Sequence, residues 1–143
     1  MATPGKNEGV ERGKWGEECA ARFLERNGYE IIERNSRPLK RDRRLEIDIV
    51  AFDERRDILV FVEVKQHARH SIYERRMRSV DRAKLDRTRR ACRAWLAKNG
   101  WNAGYRFDIV EIFGEPGSGA PEIDHIERVR LFRGRAEFVD WNS

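Results

Sequence analysis

The chain has 143 residues, 39% of them hydrophobic and 38% charged, with a formal net charge of +5 at pH 7. That length allows one domain with a hydrophobic core and hardly two, and the excess of 30 Lys and Arg over 25 Asp and Glu favours partners that carry phosphate. No apolar run approaches the roughly 18 residues of a membrane span, so no membrane-spanning helix is expected. The N-terminus lacks the apolar core of a signal peptide, so a secretory signal is not expected either.

The first part of the chain is predicted to form a tail, a helix and a strand. Residues 1–11 are rich in Pro, Gly and polar side chains, which predicts a flexible tail before a single domain over 12–143. Apolar side chains then recur with helical spacing from about Arg12 to Asn27, and Gly28 stands where helices commonly end. Tyr29 to Asn35, with two isoleucines in its middle, predicts the first strand.

The next stretch, Ser36 to Arg44, is a basic loop. Its cationic side chains are Arg37, Lys40, Arg41, Arg43 and Arg44. Such a loop can hold a nucleic-acid backbone, or it can simply be solvated. We favour the first interpretation because the loop leads directly into acidic residues.

The centre of the chain, Leu45 to Lys65, is predicted to form two strands joined by the charged turn Asp53 to Asp57. Alternation in the first strand places Glu46 and Asp48 on one face. The second strand, Ile58 to Val64, is apolar along almost its whole length. Such a run is typical of a strand that is covered on both faces.

The apolar second strand ends in charged side chains that need partners. Glu63 and Lys65 share one face of it, and an antiparallel hairpin would bring Asp48 near Glu63. Carboxylates so placed suit Mg²⁺ or Mn²⁺ and the hydrolysis of phosphodiesters, with the lysine orienting water or offsetting phosphate charge. The other interpretation is an acid–base pair that satisfies itself at the end of a strand, and spacing alone favours neither.

A second helix and two strands complete the predicted elements. After a loop over 66–79, Ser79 is expected to cap a helix from about Val80 to Lys98. The outer face of this helix carries Arg82, Arg89, Arg90 and Arg93. These arginines indicate either a solvated surface or a nucleic-acid contact. Tyr105 to Phe113 and Ile123 to Ile126 predict the last strands.

The order of the predicted elements is helix, three strands, helix and two strands. Because the second hairpin strand needs cover on both faces, this order predicts an α/β domain whose mixed sheet of about five strands is flanked by helices. Cys19 and Cys92 fall on apolar helical faces, which predicts reduced core residues in a cytoplasmic protein.

Several blocks of residues resemble the YraN-like family of endonucleases, within the PD-(D/E)XK nuclease superfamily. Asp48 followed by Glu63-Val64-Lys65 resembles the D…ExK signature of that superfamily. Further blocks follow in the family's order: Gly13-x-x-Gly16-Glu17-x-x-Ala20, Leu24, Gly28-Tyr29, Asn35-x-Arg37, Glu46-Ile47-Asp48, Phe61-Val62, Lys84 and Arg106-Phe107-Asp108. The resemblance covers roughly Gly13 to Ile126, with Leu45 and His67 standing where the family usually has Gly and Arg.

The resemblance implies a restriction endonuclease-like core and a metal-dependent nuclease that acts on DNA. It implies Asp48 and Glu63 as ligands of Mg²⁺ or Mn²⁺, and Glu17 and Lys65 as further catalytic residues. Glu46 and Lys84 would be auxiliary. Analogy with resolvases of similar architecture suggests branched, Holliday junction-like or single-stranded DNA and a homodimer.

The competing hypothesis is a nucleic-acid-binding module without catalysis, or a subunit of a DNA-processing complex. The arginines fit this hypothesis equally well. Carboxylates at the centre of the molecule do not, since they give a polyanion binder no advantage unless a cation bridges them. Divalent-metal binding at Asp48 and Glu63 would separate the two hypotheses.

Overall fold

The computed structural model describes residues 6–68 and 82–131, which contain two helices and five strands. The helices are α1 (Lys6–Arg26) and α2 (Arg82–Lys98). The strands are β1 (Tyr29–Ser36), β2 (Ile47–Asp53), β3 (Ile58–His67), β4 (Tyr105–Phe113) and β5 (Glu122–Ile126). The predicted order of elements and the α/β class are confirmed.

The five strands form one mixed sheet in the order β1-β2-β3-β4-β5. The β1–β2, β2–β3 and β4–β5 pairs are antiparallel, and β3–β4 is parallel. A parallel pair requires a crossover connection, and α2 lies in the one between β3 and β4. Neither described helix combines the length and the apolar character that crossing a membrane requires.

The two helices cover opposite faces of the sheet. Ala20 and Leu24 of α1 belong to an apolar cluster that includes Val60 of β3. On the other face, Trp95 of α2 packs in a cluster that includes Phe61. Because alternate residues of β3 enter the two clusters, its apolar run is buried on both sides, as the sequence predicts.

Some element boundaries differ from the prediction. The first helix begins at Lys6, so residues 6–11 are helical and not part of a tail. Gly9 obscured this start, since glycine costs about 1 kcal/mol inside a helix. The third strand continues to His67, past the predicted end at Val64. The predicted cap at Ser79 lies outside the described residues, as do residues 1–5.

Candidate active site

A cavity of about 350 Å³ lies between the first half of α1 and the first turns of α2. It opens over the start of β2 and the second half of β3, where the two helices flank the sheet. Its acidic lining comes from three elements and the β1–β2 loop: Glu17, Glu46, Asp48 and Glu63. Its basic lining consists of Arg44, Lys84 and Arg87. Acidic residues that are distant in the chain therefore meet in one concave site beside cations.

The β2–β3 hairpin delivers two of these carboxylates. The paired register of β2 with β3 extends to Ile49 and Val62. Asp48 and Glu63 are the next residues beyond that pair, and both side chains line the cavity. The Val64 backbone N–H donates a 2.8 Å hydrogen bond to Oδ2 of Asp48, which fixes that carboxylate against β3.

Close packing of α1 on β3 brings Glu17 to the cavity. A Cβ atom placed on Gly16 would lie 3.1 Å from Cβ of Gln66, so a glycine permits this approach. Gln66 is itself fixed, because its side-chain amide donates to the carbonyl oxygens of Gly114 at 2.6 Å and His67 at 3.2 Å. The Gly16-Glu17 pair thus combines a close helix–strand contact with a carboxylate.

Burial and like charges change the acidity of the carboxylates. Burial, opposed by the hydrogen bond from Val64 and reinforced by the charges of Glu17 and Glu63, raises the pKa of Asp48 to about 7. Burial also raises the pKa of Glu17, against a hydrogen bond from Asn35. The cavity therefore concentrates negative charge that a bound cation would stabilise.

Two lysines lie near Glu63 in different ways. Nζ of Lys84, from the first turn of α2, is 2.8 Å from Oε1 of Glu63. Lys65 follows Glu63 by two residues on β3 and so shares its face, but it is not among the described residues that line the cavity. Lys84, rather than Lys65, therefore contacts the acidic residues.

The basic residues of the β1–β2 loop are exposed around the acidic ones. Nη2 of Arg37 lies 3.4 Å from Oε2 of Glu46, and Arg44 binds Asp42 through Nε at 3.0 Å. The other exposed cations of this loop are Lys40, Arg41 and Arg43. Arg37 and Arg44 therefore form a cationic margin at the cavity.

Helix α2 places its arginines differently from the predicted pattern. Arg90 and Arg93 are exposed. Arg89 is only 16% exposed, and its Nη2 lies 3.1 Å from Oδ1 of Asp86, which makes it a poor contact for a phosphate. Arg87 lines the cavity instead. Its spacing of three residues from Lys84 is the signal that could have identified it.

A second group of ionisable residues lies outside the cavity, around β4 and the end of β5. Asp108, His125 and Glu127 offer ligand atoms that all lie within 4.8 Å of one another, so this group could hold a metal ion. Asp108, however, already accepts hydrogen bonds from Arg106 at 3.1 Å and from the backbone of Arg128 at 3.0 Å. By the same criterion, no three cavity carboxylates in the described part of the chain are as close together.

The guanidinium of Arg106 disfavours a metal in that second group. Arg106 is fully buried and lies within hydrogen-bonding distance of Asp53, Asp108 and Tyr29. Burial opposes the charge of Arg106, but the hydrogen bonds with Asp108 and its negative charge raise the pKa of the guanidinium. A permanent cation thus already neutralises the carboxylates of Asp53 and Asp108.

Comparison with known sequences points to one family. Residues 16–112 match the profile of a family described as "Uncharacterised protein family UPF0102". A UPF0102 protein of Streptomyces griseus is 42% identical over 119 residues, which cover 82% of this chain and 93% of the relative. One from Acetivibrio thermocellus is 38% identical over 128 residues, covering 87% and 92%. One from Halorhodospira halophila is 40% identical over 110 residues, covering 76% and 83%.

Proposed function

The chain belongs to the UPF0102 family, and from its cavity we propose that it is a divalent-metal-dependent nuclease that hydrolyses phosphodiester bonds of DNA. The observation that carries the proposal is the convergence of Glu17, Glu46, Asp48 and Glu63 on one cavity bordered by basic side chains. Carboxylates so concentrated repel one another and repel a polyanion. Their presence beside Arg44 and Arg87 is accounted for if a cation binds between them and phosphate.

The donor set fits a hard cation. Carboxylate oxygens are the ligands that Mg²⁺ and Mn²⁺ prefer, and the acidic lining offers no thiolate or imidazole among the described residues. Asp48 and Glu63 would hold the ion, with Glu17 and Glu46 beside them. A metal bound there supplies a Lewis acid that activates water and offsets the charge developing on a phosphate.

The chain's own cations have separate tasks in this proposal. Lys84 is close enough to Glu63 to offset the charge of a phosphate oxygen beside the acidic residues. Arg44 and Arg87, at the cavity margin, would hold flanking phosphates. The exposed loop residues Lys40, Arg41 and Arg43 extend this margin away from the reacting bond. Binding by such contacts weakens steeply as salt rises.

Cleavage assays with matched variants test the proposal. Duplex, single-stranded and branched DNA are incubated with Mg²⁺ or Mn²⁺, and we expect Asp48→Asn and Glu63→Gln to abolish cleavage with DNA binding retained. Asp57→Asn is the control, because Asp57 lies in the turn between β2 and β3 and outside the cavity. Cleavage that survives Asp48→Asn would exclude this site.

The same assays distinguish the contributions of Lys84 and Lys65 to cleavage, and they distinguish a nuclease from the competing function. Loss of one preorganised stabilising group commonly reduces turnover by roughly a hundredfold or more. We expect that loss for Lys84→Ala, which contacts Glu63, and Lys65→Ala tests the lysine of the D…ExK signature. DNA binding that needs no metal, with no cleavage of any DNA, would instead favour a non-catalytic nucleic-acid-binding module.

A further inference from the structure

Asn35, the next-to-last residue of β1, lies beside the acidic lining of the cavity. We infer that Asn35 is a positioning residue whose amide group holds Glu17 and Glu46 as a pair. The inference rests on the proposed function, in which these carboxylates stand beside a bound cation. The sequence singles out Asn35 only as one position of a motif, with no task of its own.

The contacts of the side-chain amide carry the inference. Its NH₂ group lies 3.0 Å from Oε1 of Glu46, and 3.0 Å and 3.3 Å from the two carboxylate oxygens of Glu17. This orientation of the amide is required, because the reverse one would place its oxygen against two carboxylates. One amide nitrogen therefore has a hydrogen for each of two carboxylates on different segments of the chain.

An amide can link these carboxylates without neutralising them. Two like charges from α1 and the β1–β2 loop repel each other when they are brought together. An Arg or Lys in the place of Asn35 would pair with both and cancel the charge that attracts a cation. The neutral NH₂ group donates hydrogen bonds to both and leaves their negative charge in place.

The backbone at this position also has a special conformation. Asn35 has a φ of 51°, in the left-handed region that disfavours most residues and that Asn tolerates better than others. The neighbouring pairs Arg34–Ile49 and Ser36–Ile47 of the β1–β2 register place Asn35 across from Asp48. Asn35 thus combines a rare backbone conformation, the right donor group and a position beside the metal-binding carboxylates.

Glycine provides a substitution that removes the amide without straining the backbone. Glycine adopts positive φ at little cost, so Asn35→Gly removes the amide and leaves the backbone conformation accessible. Asp57→Gly is the matched control, because Asp57 has a φ of 59° and lies outside the cavity. Any difference between the two variants then reports on the amide and not on the backbone.

The first measurement needs neither metal nor activity. In NMR spectra of the metal-free protein, the two side-chain amide protons of Asn35 are expected to show the downfield shifts of hydrogen bonds to charged acceptors. Glu17→Gln should move one of these signals and Glu46→Gln the other. Signals at ordinary positions that neither substitution moves would overturn the inference.

The second measurement is Mn²⁺ affinity by calorimetry. Loss of a residue that orients metal ligands commonly weakens binding about 10–100-fold, and we expect that loss for Asn35→Gly but not for Asp57→Gly. The loss should be much smaller when Glu17→Gln is already present, because the two residues act together. Equal losses with and without Glu17→Gln, or wild-type affinity of Asn35→Gly, would contradict the inference.

The two measurements also distinguish failure of the inference from failure of the proposed function. A wild-type protein that binds no Mn²⁺ or Mg²⁺ would contradict the metal-dependent function, and the amide signals would then decide alone whether Asn35 pairs the carboxylates. Normal metal binding by Asn35→Gly would be compatible with the proposed function and would contradict only the role inferred for Asn35.

Discussion

Asp48 exchanges a proton near neutral pH, because burial and the neighbouring charges of Glu17 and Glu63 raise its pKa to about 7. Its folded-state pKa therefore lies above its ordinary value of 3.8. Between these two values the folded protein binds more protons than the unfolded chain does. The free energy of unfolding should then fall as pH rises through this window and level off above it.

We predict that Asp48→Asn removes this part of the pH dependence in metal-free protein. The Asn side chain keeps an oxygen to accept the hydrogen bond from Val64 but carries no charge. As pH rises from about 4 to about 7, the free energy of unfolding of the wild type should fall relative to that of Asp48→Asn. Urea unfolding in the presence of a metal chelator measures this difference. Parallel curves for the two proteins would contradict the prediction.

At the scale of single residues, the sequence predicted that Asp48 and Glu63 lie near each other, and both line the cavity. It marked Lys84 only as an auxiliary residue and Asn35 only as one position of a motif, because their contacts arise when α1, α2 and the β1–β2 loop meet. Lys65 was the more obvious candidate in the sequence, since it adjoins Glu63 on the same strand. Chain proximity and contact differ here because α2 brings Lys84 against Glu63 from outside the strand.

At the scale of elements, the contact between α1 and β3 controls where Glu17 lies. Gly16 permits this contact by lacking a Cβ, which would approach both Cβ and Cγ of Gln66, at 3.1 Å and 3.4 Å. Gln66 has little freedom to move, because its amide is bonded to two backbone carbonyls. The position of α1 on β3 therefore determines the position of Glu17 in the cavity.

We predict that Gly16→Ala destabilises the protein, while Gly9→Ala stabilises it. Both exchanges gain up to about 1 kcal/mol of helix propensity, but a methyl group at Gly16 overpacks the α1–β3 contact, which typically costs about 1–3 kcal/mol. A methyl group at Gly9 meets nothing within 4 Å. Thermal unfolding measures the difference, and equal changes in the two variants would show that α1 has room to adapt.

The elements themselves were largely predictable because their periodicities are regular. Alternation in β2 and the continuous apolar run of β3 identified the hairpin, and the helical spacing identified both helices. The start of α1 was not predictable, since Gly9 and the polar residues around it resemble a loop in composition. Packing of the following turns on the sheet extends the helix through residues that would not favour it alone.

At the scale of the whole molecule, a buried charge network joins distant parts of the sheet. Arg106 of β4 lies 3.0 Å from Oδ2 of Asp53 at the end of β2 and donates to Asp108. Nη2 of Arg106 also donates to the hydroxyl of Tyr29 in β1 at 2.5 Å, and Nε2 of His125 in β5 lies 2.8 Å from Asp108. The sequence marked Arg106 and Asp108 only as part of a motif, because alternation along a strand does not disclose such a network.

We predict that Arg106→Met costs roughly 3–5 kcal/mol of folding stability, the scale for removing one partner of a buried ion pair. Asp53 and Asp108, which are 2% and 0% exposed, would lose their buried cation, and Asp53 would keep only the half-exposed Arg56, whose Nη1 lies 3.8 Å from its Oδ2. Arg56→Met is the control: its side chain is 46% exposed and pairs with Glu127 at 2.9 Å, so its loss should cost about 1 kcal/mol or less. If urea unfolding shows similar losses of folding stability for the two variants, Arg106 is not the main stabilising cation of this network.

The parallel pairing of β3 with β4 has a consequence for the path of folding. The β2–β3 hairpin closes over a short loop, so the chain can bring Asp48 to Glu63 early and at small entropic cost. Pairing of β3 with β4 must await closure of a far longer connection, and this connection carries Lys84 and Arg87. The Asp48–Glu63 part of the acidic lining would therefore form first, and the cationic wall from α2 would dock in a later, slower step.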